Sequence, residues 1–458
     1  MYVSENQTSI RLEHPVTRRR NPIRKYSDTR WSRPTTSSTK ATTPVRELCL
    51  IMSDSESVSP LRATRAAEVS VAMQRGIERG GSNPFYVVDL QAALDKLALW
   101  KAHLPMVQPH YAIKCNPDPA ILLALAKDGA CFDCASAAEI DMVLQLGCDP
   151  TRIVYAHPIK QPSHLGHARD VGVSLTVFDS ENELHKIAAV YPSCKLLLRI
   201  APDDSSSEHP LSIKYGAQTT EASSLLQTAA NLGLDVVGVS FHVGSGNKDG
   251  SSFYAAVSSA ASIFDRAAEH GRPMRILDIG GGFMGQYTTD EFAQVAGAIK
   301  AALGEFFPRE PSAKRGGVHV IAEPGRYFAC TTHHLAVNVI GKKTHQGATK
   351  KNPKNTEAHQ MYYINDGTYG SFNCVMFDYA NCSPTCDVIV KSGEPQATGC
   401  ETAPLEPSSL WGPTCDSIDC VLPDVELPEL QVGDWLAFRN MGAYTSCAAS
   451  NFNGMPSS

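Results

Sequence analysis

The chain has 458 residues, of which 43% are hydrophobic, 19% charged and 7% aromatic, and its formal charge is −6 at pH 7. This composition excludes a disordered, collagen-like or coiled-coil protein and gives no reason to expect a nucleic-acid partner. The length predicts two or three domains, or one large β/α barrel with an appendage. Small-molecule chemistry is therefore the expected class of function.

The N-terminal region differs from the rest of the chain. Residues 1–50 carry ten Lys or Arg against four Asp or Glu, a net charge of +6, which leaves −12 for the remainder. The region is rich in Ser and Thr and lacks apolar periodicity, so we expect residues 1–80 to form a disordered basic tail. We favour a solvated tail on a cytoplasmic protein, with organelle targeting as the alternative.

The sequence predicts neither a membrane span nor a disulfide framework. No stretch approaches the roughly 18 consecutive apolar residues of a membrane span, and no apolar signal core follows the start. We therefore expect a soluble protein whose 14 Cys are thiols in a reducing compartment. The only C-x-x-C pair, Cys131 and Cys134, lies in an apolar run, which favours strand cysteines over a zinc or redox site.

Residues 81–330 alternate short β-branched runs with longer stretches of helical spacing, which predicts an eight-stranded parallel β/α barrel. The predicted strands are His110–Lys114, Cys131–Ala135, Arg152–Ala156, Leu175–Asp179, Lys195–Ile200, Val236–His242, Arg275–Ile279 and Val318–Glu323. After the barrel, the pattern of residues 331–458 predicts a second, all-β domain of sandwich-like or Greek-key type. The segment Pro84–Asp89 precedes the barrel and is a candidate to pair with that domain.

Every predicted barrel strand ends in polar or glycine residues. In order along the chain these are Lys114, Asp133, His157, Asp179, Arg199, His242 with Ser245, Gly280–Gly282, and Glu323 with Arg326. A doubly wound sheet would concentrate such residues at one switch point, whereas a barrel carries its site at the carboxyl ends of all its strands. The pattern therefore favours a barrel with a polar mouth.

The residues at the mouth suit one cofactor. Lys114 supplies an amine, and we expect burial and nearby cations to lower its pKa and make it nucleophilic toward an aldehyde. If it stood alone, a lysine that forms a salt bridge would be the better interpretation. Glycines after the sixth and seventh strands can approach a phosphate closely. With the ring of His242 and the carboxylate of Glu323, the set matches what pyridoxal 5'-phosphate (PLP) requires.

The β domain carries two further acids of interest, Asp378 and Asp416. Acids far from the lysine in sequence suit a substrate with a distal ammonium group. Aspartates that form loop turns are an equally good explanation of the spacing.

Long ordered motifs give the chain a family resemblance from about Pro84 to Gly454. They begin at Tyr111 (YAIKCN), Phe132 (FDCAS), Val239 (VSFHVGSG), Ile279 (IGGGF), Ala322 (AEPGR), Tyr369 (YGSFNC), Trp411 (WGPTCD) and Asn440 (NMGAY). The chain resembles the eukaryotic ornithine decarboxylase family of fold-type III PLP-dependent decarboxylases. The resemblance implies a barrel plus a β domain, and decarboxylation of L-ornithine to putrescine and CO2 in polyamine biosynthesis.

The resemblance also implies roles for individual residues. Lys114 would hold PLP covalently, Glu323 would pair with the pyridine nitrogen, and His242 would stack on the ring. The residues implied to hold the phosphate or line the same cavity are Asp133, Arg199, Ser245, Gly281, Gly282, Gly325, Arg326 and Tyr444.

In the family the active sites form across a head-to-tail homodimer. Cys415 would then be the general acid that protonates the product carbon in the partner's barrel, and Asp416 would bind the distal ammonium together with Asp378. Lys214 and Asp419 match an intersubunit ion pair of relatives. An antizyme-type regulator is a further partner that the resemblance suggests.

Two residues depart from the family pattern beside the substrate pocket, which leaves a second substrate open. Phe377 stands where many relatives have Tyr, and Tyr379 where many have His. Lysine is one methylene longer than ornithine, and one methylene changes the free energy of binding in a pocket by only about 1–3 kcal/mol. A lysine or other basic amino-acid decarboxylase is therefore the alternative. A non-catalytic regulator of antizyme-inhibitor type ranks below both, because the cofactor positions are intact.

Overall fold

Eight parallel strands close into a barrel in the computed structural model, which describes residues 60–79, 81–204, 207, 210–246, 250–310, 315–345, 359–378, 386–390, 404–455 and 458. The strands in the described part of the chain are β1 Phe85–Val88, β2 Val107–Ala112, β3 Cys131–Cys134, β4 Ile153–Tyr155, β5 Leu175–Phe178, β6 Lys195–Ile200, β7 Asp235–Phe241, β8 Ile276–Asp278, β9 His319–Ala322, β10 His333–His345, β11 His359–Ile364, β12 Cys386–Val390, β13 Leu405–Trp411, β14 Cys420–Pro428 and β15 Trp435–Phe438. The helices are α1 Pro60–Glu78, α2 Leu90–His103, α3 Pro119–Lys127, α4 Ala137–Gln145, α5 Pro162–Asp170, α6 Glu181–Val190, α7 Ala222–Asn231, α8 Ser251–Glu269, α9 Thr289–Phe306, α10 Arg326–Ala329 and α11 Cys374–Phe377.

The barrel consists of β2 to β9, and it closes where β2 pairs with β9, with Val107 opposite Val320. Branched side chains fill part of its interior, as the cluster of Val177, Leu197, Val237 and Ile321 shows. The helices start where the sequence supplies capping groups. Asp118 accepts hydrogen bonds from the first turn of α3, and Thr288 opens α9 with a complete capping box. The predicted fold class is confirmed.

Several predicted strand ends shift by one or two residues. The first barrel strand ends at Ala112, and Lys114 lies in the 3-10 turn Ile113–Cys115 that follows it. The physical reason is that the chain turns at the barrel rim, where Ala112 N–H still bonds to the carbonyl of Pro324. The lysine therefore sits just above the end of the strand. Cys131 and Cys134 are free thiols in β3, which confirms them as strand cysteines.

The β domain is a mixed sheet with the strand order β12-β15-β10-β11-β13-β14. Its β11–β13 pair is parallel, whereas its other described pairs are antiparallel. Strand β1 joins this sheet by pairing antiparallel with β10, Phe85 opposite Ala336. The chain thus contributes one strand to the β domain before it enters the barrel.

The expected tail over residues 1–80 is wrong at its C-terminal end, because residues 60–78 form helix α1. Val69 and Met73 on this helix pack against Ala437 of β15 and Val87 of β1, and this apolar contact holds the helix on the β domain. Residues 1–59 lie outside the described part of the chain. No helix in the described part is long and apolar enough to cross a membrane.

The close pairing of barrel strands makes a prediction about Gly238 of β7. A Cβ atom at this position would lie 1.9 Å from the carbonyl oxygen of Ile276 in β8. We expect Gly238→Ala to lower the free energy of unfolding by more than about 2 kcal/mol, because the backbone of two paired strands must separate. Urea unfolding followed by circular dichroism measures this change.

Gly297→Ala in α9 is the matched control, since a Cβ atom there meets nothing within 4 Å. Alanine at an unstrained helical position should raise stability by about 0.5–1 kcal/mol. Equal effects of the two substitutions would contradict the close packing inferred at Gly238.

Candidate active site

Lys114 lies among carboxylates at the barrel mouth. Its Nζ is 2.9 Å from Oδ2 of Asp133, which is 1% exposed at the end of β3. Desolvation at the mouth acts to lower the pKa of Lys114, but the carboxylate of Asp133 acts in the opposite direction and raises it overall. The prediction of a lowered pKa is wrong, because the surroundings of the amine are anionic and not cationic.

Three further acids belong to the same mouth. Burial, followed by the charges of Asp278 and Asp133, raises the pKa of Glu323, and burial is also the main cause of the raised pKa of Asp278. Glu139 on α4 has a pKa raised mainly by burial and also responds to Asp133 and Lys114. Sequence reasoning missed Asp278 and Glu139 as site residues. The signal for Asp278 was an acid that ends an apolar strand, one residue before three glycines.

His242 presents a neutral ring to this mouth. Its Nδ1 accepts a hydrogen bond of 3.1 Å from the N–H of Gly244, so the ring proton of the neutral form is on Nε2. Burial, with smaller contributions from Arg199 and Lys114, lowers its pKa well below the usual value. An uncharged imidazole can stack on an aromatic ligand without placing a further positive charge beside Lys114.

The glycine-rich turn after β8 leaves room for this ring. A Cβ atom at Gly281 would lie 2.6 Å from Nε2 of His242, and one at Gly282 would lie 2.8 Å from the carbonyl oxygen of Gly244. Gly282 also has a φ of 109°, which favours glycine. Ser245 lies in the neighbouring loop after β7. Because glycines form this contact, the two loops approach each other closely through backbone atoms. A turn that binds phosphate through its N–H groups needs such a close approach.

Arg326 brings a buried cation to the rim after β9, between the strands β8 and β2. Its guanidinium lies 4.9 Å from the ring centre of Tyr444 and forms an ion pair of 2.6 Å with Asp378, and its Nε is buried without a hydrogen-bond partner. Tyr444 donates its backbone N–H to the carbonyl of Cys115, next to Lys114. A segment of the β domain thus completes the barrel mouth.

Comparisons with known proteins agree with this geometry. The family model described as "Pyridoxal-dependent decarboxylase, pyridoxal binding domain" matches residues 90–330. The chain belongs to the pyridoxal-dependent decarboxylase family. It is 46% identical to ornithine decarboxylase of Mus pahari over 81% of this chain and 78% of that protein. It is also 46% identical to antizyme inhibitor 2 of Xenopus laevis, over 82% of this chain and 79% of that protein.

A solved structure of the family has the same fold. Arginine decarboxylase of Paramecium bursaria Chlorella virus matches with a TM-score of 0.76 and 36% identity, covering 84% of this chain and 98% of that one. The likeness extends beyond the barrel to the β domain, since nearly the whole of that decarboxylase is covered. The predicted barrel with a β domain is therefore an architecture of this decarboxylase family.

The mouth fits the PLP cofactor of the family. Buried polar atoms normally have partners, so the unpartnered Nε of Arg326 and Oδ1 of Asp133 mark space for a polar ligand. Arg326, Tyr444, Ser245 and the backbone of the glycine turns suit the phosphate group. Lys114 suits the aldehyde, and Glu323 suits the pyridine nitrogen.

Two predicted substrate residues occupy different environments. Asp378 is 6% exposed and forms an ion pair with Arg326 of the same chain, a residue that is expected to hold the phosphate. Phe377, the residue before it, is 76% exposed at the end of α11. Tyr379 lies outside the described residues. Arg199 lies 5.4 Å from the ring centre of Tyr215 and acts on His242 through its charge.

The contacts of Cys415 and Asp416 lie within the β domain. Cys415 is exposed, and its N–H donates to Oδ1 of Asn453. Asp416 accepts a hydrogen bond from the hydroxyl of Tyr369, which is the main cause of its lowered pKa. Asp416 is therefore an anion in the physiological range. The structure gives neither residue a contact with the Lys114 group in the described part of the same chain.

Asp419, one member of the implied intersubunit ion pair with Lys214, has hydrogen-bond partners within its own chain. This carboxylate is 1% exposed and accepts hydrogen bonds of 2.7–3.0 Å from the backbone N–H and hydroxyl groups of Thr368 and Thr414. Four internal donors thus hold this carboxylate in place. Lys214 is exposed and lies 4.9 Å from the ring centre of Tyr215. The intersubunit pair of Lys214 and Asp419 therefore stays a prediction.

The buried acids predict a pH-dependent stability. Asp278 has a folded-state pKa above its unfolded value, so its favourable contribution is complete below pH 4 and is lost as the pH rises toward 7. Asp278→Asn keeps the acceptor for the N–H of Gly280 and removes the charge. In protein freed of cofactor, we expect this variant to gain stability relative to wild type between pH 4 and 7, by about 1 kcal/mol or more, the equivalent of roughly one pKa unit.

Denaturant unfolding at several pH values measures the difference. Asp235→Asn is the control, since the Asp235 side chain is 56% exposed and pairs with Arg275 at the surface. Parallel pH profiles of wild type and Asp278→Asn would contradict the charge coupling inferred at the mouth.

Proposed function

We propose that the chain decarboxylates L-ornithine to putrescine and CO2 as a PLP-dependent enzyme. The observation that carries this proposal is the amine of Lys114 at 2.9 Å from Asp133, with Glu323 and His242 close enough to interact with it electrostatically at the barrel mouth. The 46% identity to the ornithine decarboxylase of Mus pahari supports ornithine as the substrate.

Bound PLP supplies the electron sink that stabilises negative charge on the substrate α-carbon when CO2 leaves. The residues of the chain do the rest. Glu323 would hold a proton on the pyridine nitrogen, and Asp133, whose Oδ2 accepts a hydrogen bond from Nζ of Lys114, would accept the proton that Lys114 must lose. His242 would cover the face of the cofactor ring and exclude water from it. The bond from the α-carbon to the carboxyl carbon breaks, and a proton from Sγ of Cys415 replaces CO2 on the α-carbon.

We further propose a homodimer in which Cys415 and Asp416 serve the barrel of a second copy. Cys415 is exposed, and Ile418 beside it is 50% exposed; Phe377 near the mouth is 76% exposed. Large apolar side chains at the surface favour contact with another protein. Asp416, held as an anion by Tyr369, would bind the distal ammonium of the substrate.

A non-catalytic regulator is the second candidate, because the identity to antizyme inhibitor 2 of Xenopus laevis is also 46%. Overall identity therefore does not separate the two functions. The residues favour the enzyme, since each position expected to hold PLP carries a suitable group and the unpartnered Arg326 Nε marks space for the phosphate.

An assay with several substrates tests the proposed activity. We expect the purified protein with PLP to release CO2 from L-ornithine with a kcat/KM at least about tenfold above that for L-lysine, since one methylene costs about 1–3 kcal/mol. Lys114→Ala should abolish the release and the visible absorbance of covalently bound PLP. A preference for lysine would establish the alternative substrate. Bound PLP without release of CO2 from ornithine, lysine or arginine would establish the regulator.

Mixing two inactive variants tests the shared active site. Lys114→Ala and Cys415→Ala each disable every site of their own homodimer. In a random mixture half of the dimers are heterodimers with one intact site, so about a quarter of wild-type activity should return. Lys114→Ala mixed with Asp133→Ala is the control, because both residues belong to the same barrel and no intact site can form. Activity that does not return in the first mixture would contradict sharing.

A further inference from the structure

Two histidines face each other at one end of the β domain sheet. His345 is the last residue of β10 and His359 is the first residue of β11, and they are direct partners in the antiparallel register. Their ring centres are 5.2 Å apart with an angle of 62° between the ring planes. Both are partly exposed, so solvent and ions can reach them. The proposed decarboxylase chemistry uses neither residue.

The separation of the rings is that of two imidazoles on one metal ion. Zinc binds a histidine nitrogen at about 2.0–2.1 Å, which puts the ring centre about 3.2 Å from the ion, and two such rings at a tetrahedral angle have centres about 5 Å apart. Side chains directly opposite in an antiparallel pair start from Cβ atoms only about 5 Å apart. The observed 5.2 Å therefore matches the ring separation that such a site requires.

We propose that His345 and His359 form a two-histidine site for a first-row divalent transition metal ion such as Cu²⁺, Ni²⁺ or Zn²⁺. No group of three or more His, Cys, Asp or Glu in metal-binding arrangement occurs within the described ranges, so these two rings are the ligands that the described part of the chain supplies here. Imidazole nitrogen favours these ions over Ca²⁺ and Mg²⁺, and Cu²⁺ binds most tightly in the usual order.

The charges around the pair act in both directions. Asp424 on β14 interacts electrostatically with His359 and adds negative charge near the site. Lys343 lies two residues before His345 and so shares its face of the sheet, where it opposes a cation. The site therefore depends on coordination by both nitrogens and not on general attraction of cations. It is open to solvent and exchanges its ion readily.

Metal binding at this position joins the ends of two neighbouring strands. Strand β10 is the central strand that pairs with β1, β11 and β15. An ion that binds the folded protein and not the unfolded chain stabilises the fold by mass action. The midpoint of thermal unfolding should therefore rise with the concentration of Cu²⁺ or Ni²⁺.

Titration of the full chain with CuCl2 tests the proposal, after accessible thiols such as Cys415 and Cys447 are blocked with iodoacetamide. Calorimetry should find a site in wild type that His345→Gln and His359→Gln each weaken by about 10-fold or more, since each variant leaves one ligand. Electron paramagnetic resonance should show two equivalent nitrogen ligands in wild type. His185→Gln is the control, because His185 is exposed on α6 and its nearest acid is Glu181 at 3.7 Å.

The proposal is overturned if both variants bind Cu²⁺ as wild type does, which would make the two rings an aromatic pair only. It is also overturned if only one of the two substitutions has an effect, since two ligands of one ion must both matter. Activity toward ornithine plays no part in this test, so failure of the metal site and failure of the proposed decarboxylation are distinguished.

Discussion

The closing pair of the barrel, β2 with β9, is the constraint on which the site depends. Lys114 follows β2 and Glu323 follows β9, and they are far apart in the chain. Pairing of Val107 with Val320 makes the two strands neighbours, so the amine and the carboxyl meet at the same rim. An open sheet with the same strands would leave these residues at opposite edges. Closure is therefore what converts eight separate strand ends into one cavity.

An excess of buried acids follows from this arrangement. Asp133, Asp278 and Glu323 share a small space with the ammonium of Lys114, and burial raises the pKa of both Asp278 and Glu323. Carboxyl groups held in this way can keep a proton where a cofactor nitrogen needs one. Burying these acids destabilises the folded protein, and the apolar contacts of the barrel core offset this effect. Function and stability are opposed at this rim.

Sequence reasoning predicted the barrel because its two periodicities are strong and its polar residues lie at the strand ends. It found Lys114, His242, Glu323 and Arg326 for the same reason. It missed Asp278, which looked like a strand residue beside glycines, and it gave Lys114 the wrong direction of pKa change. Both depend on distances between different strands, which a linear pattern does not contain. The same limit applies to Asp419, because its hydrogen bonds with Thr368 and Thr414 are set by the fold of the β domain.

The pairing of β1 with β10 affects how the chain can be assembled and divided. Phe85–Val88 is made before the barrel, and its partner His333–Ala336 is made after it. During synthesis the edge of this strand remains unpaired until more than two hundred further residues have emerged from the ribosome. In the sequence, the barrel therefore lies between two strands of one sheet. A fragment cut at the apparent boundary near residue 330 would separate partners and expose a strand edge that invites aggregation.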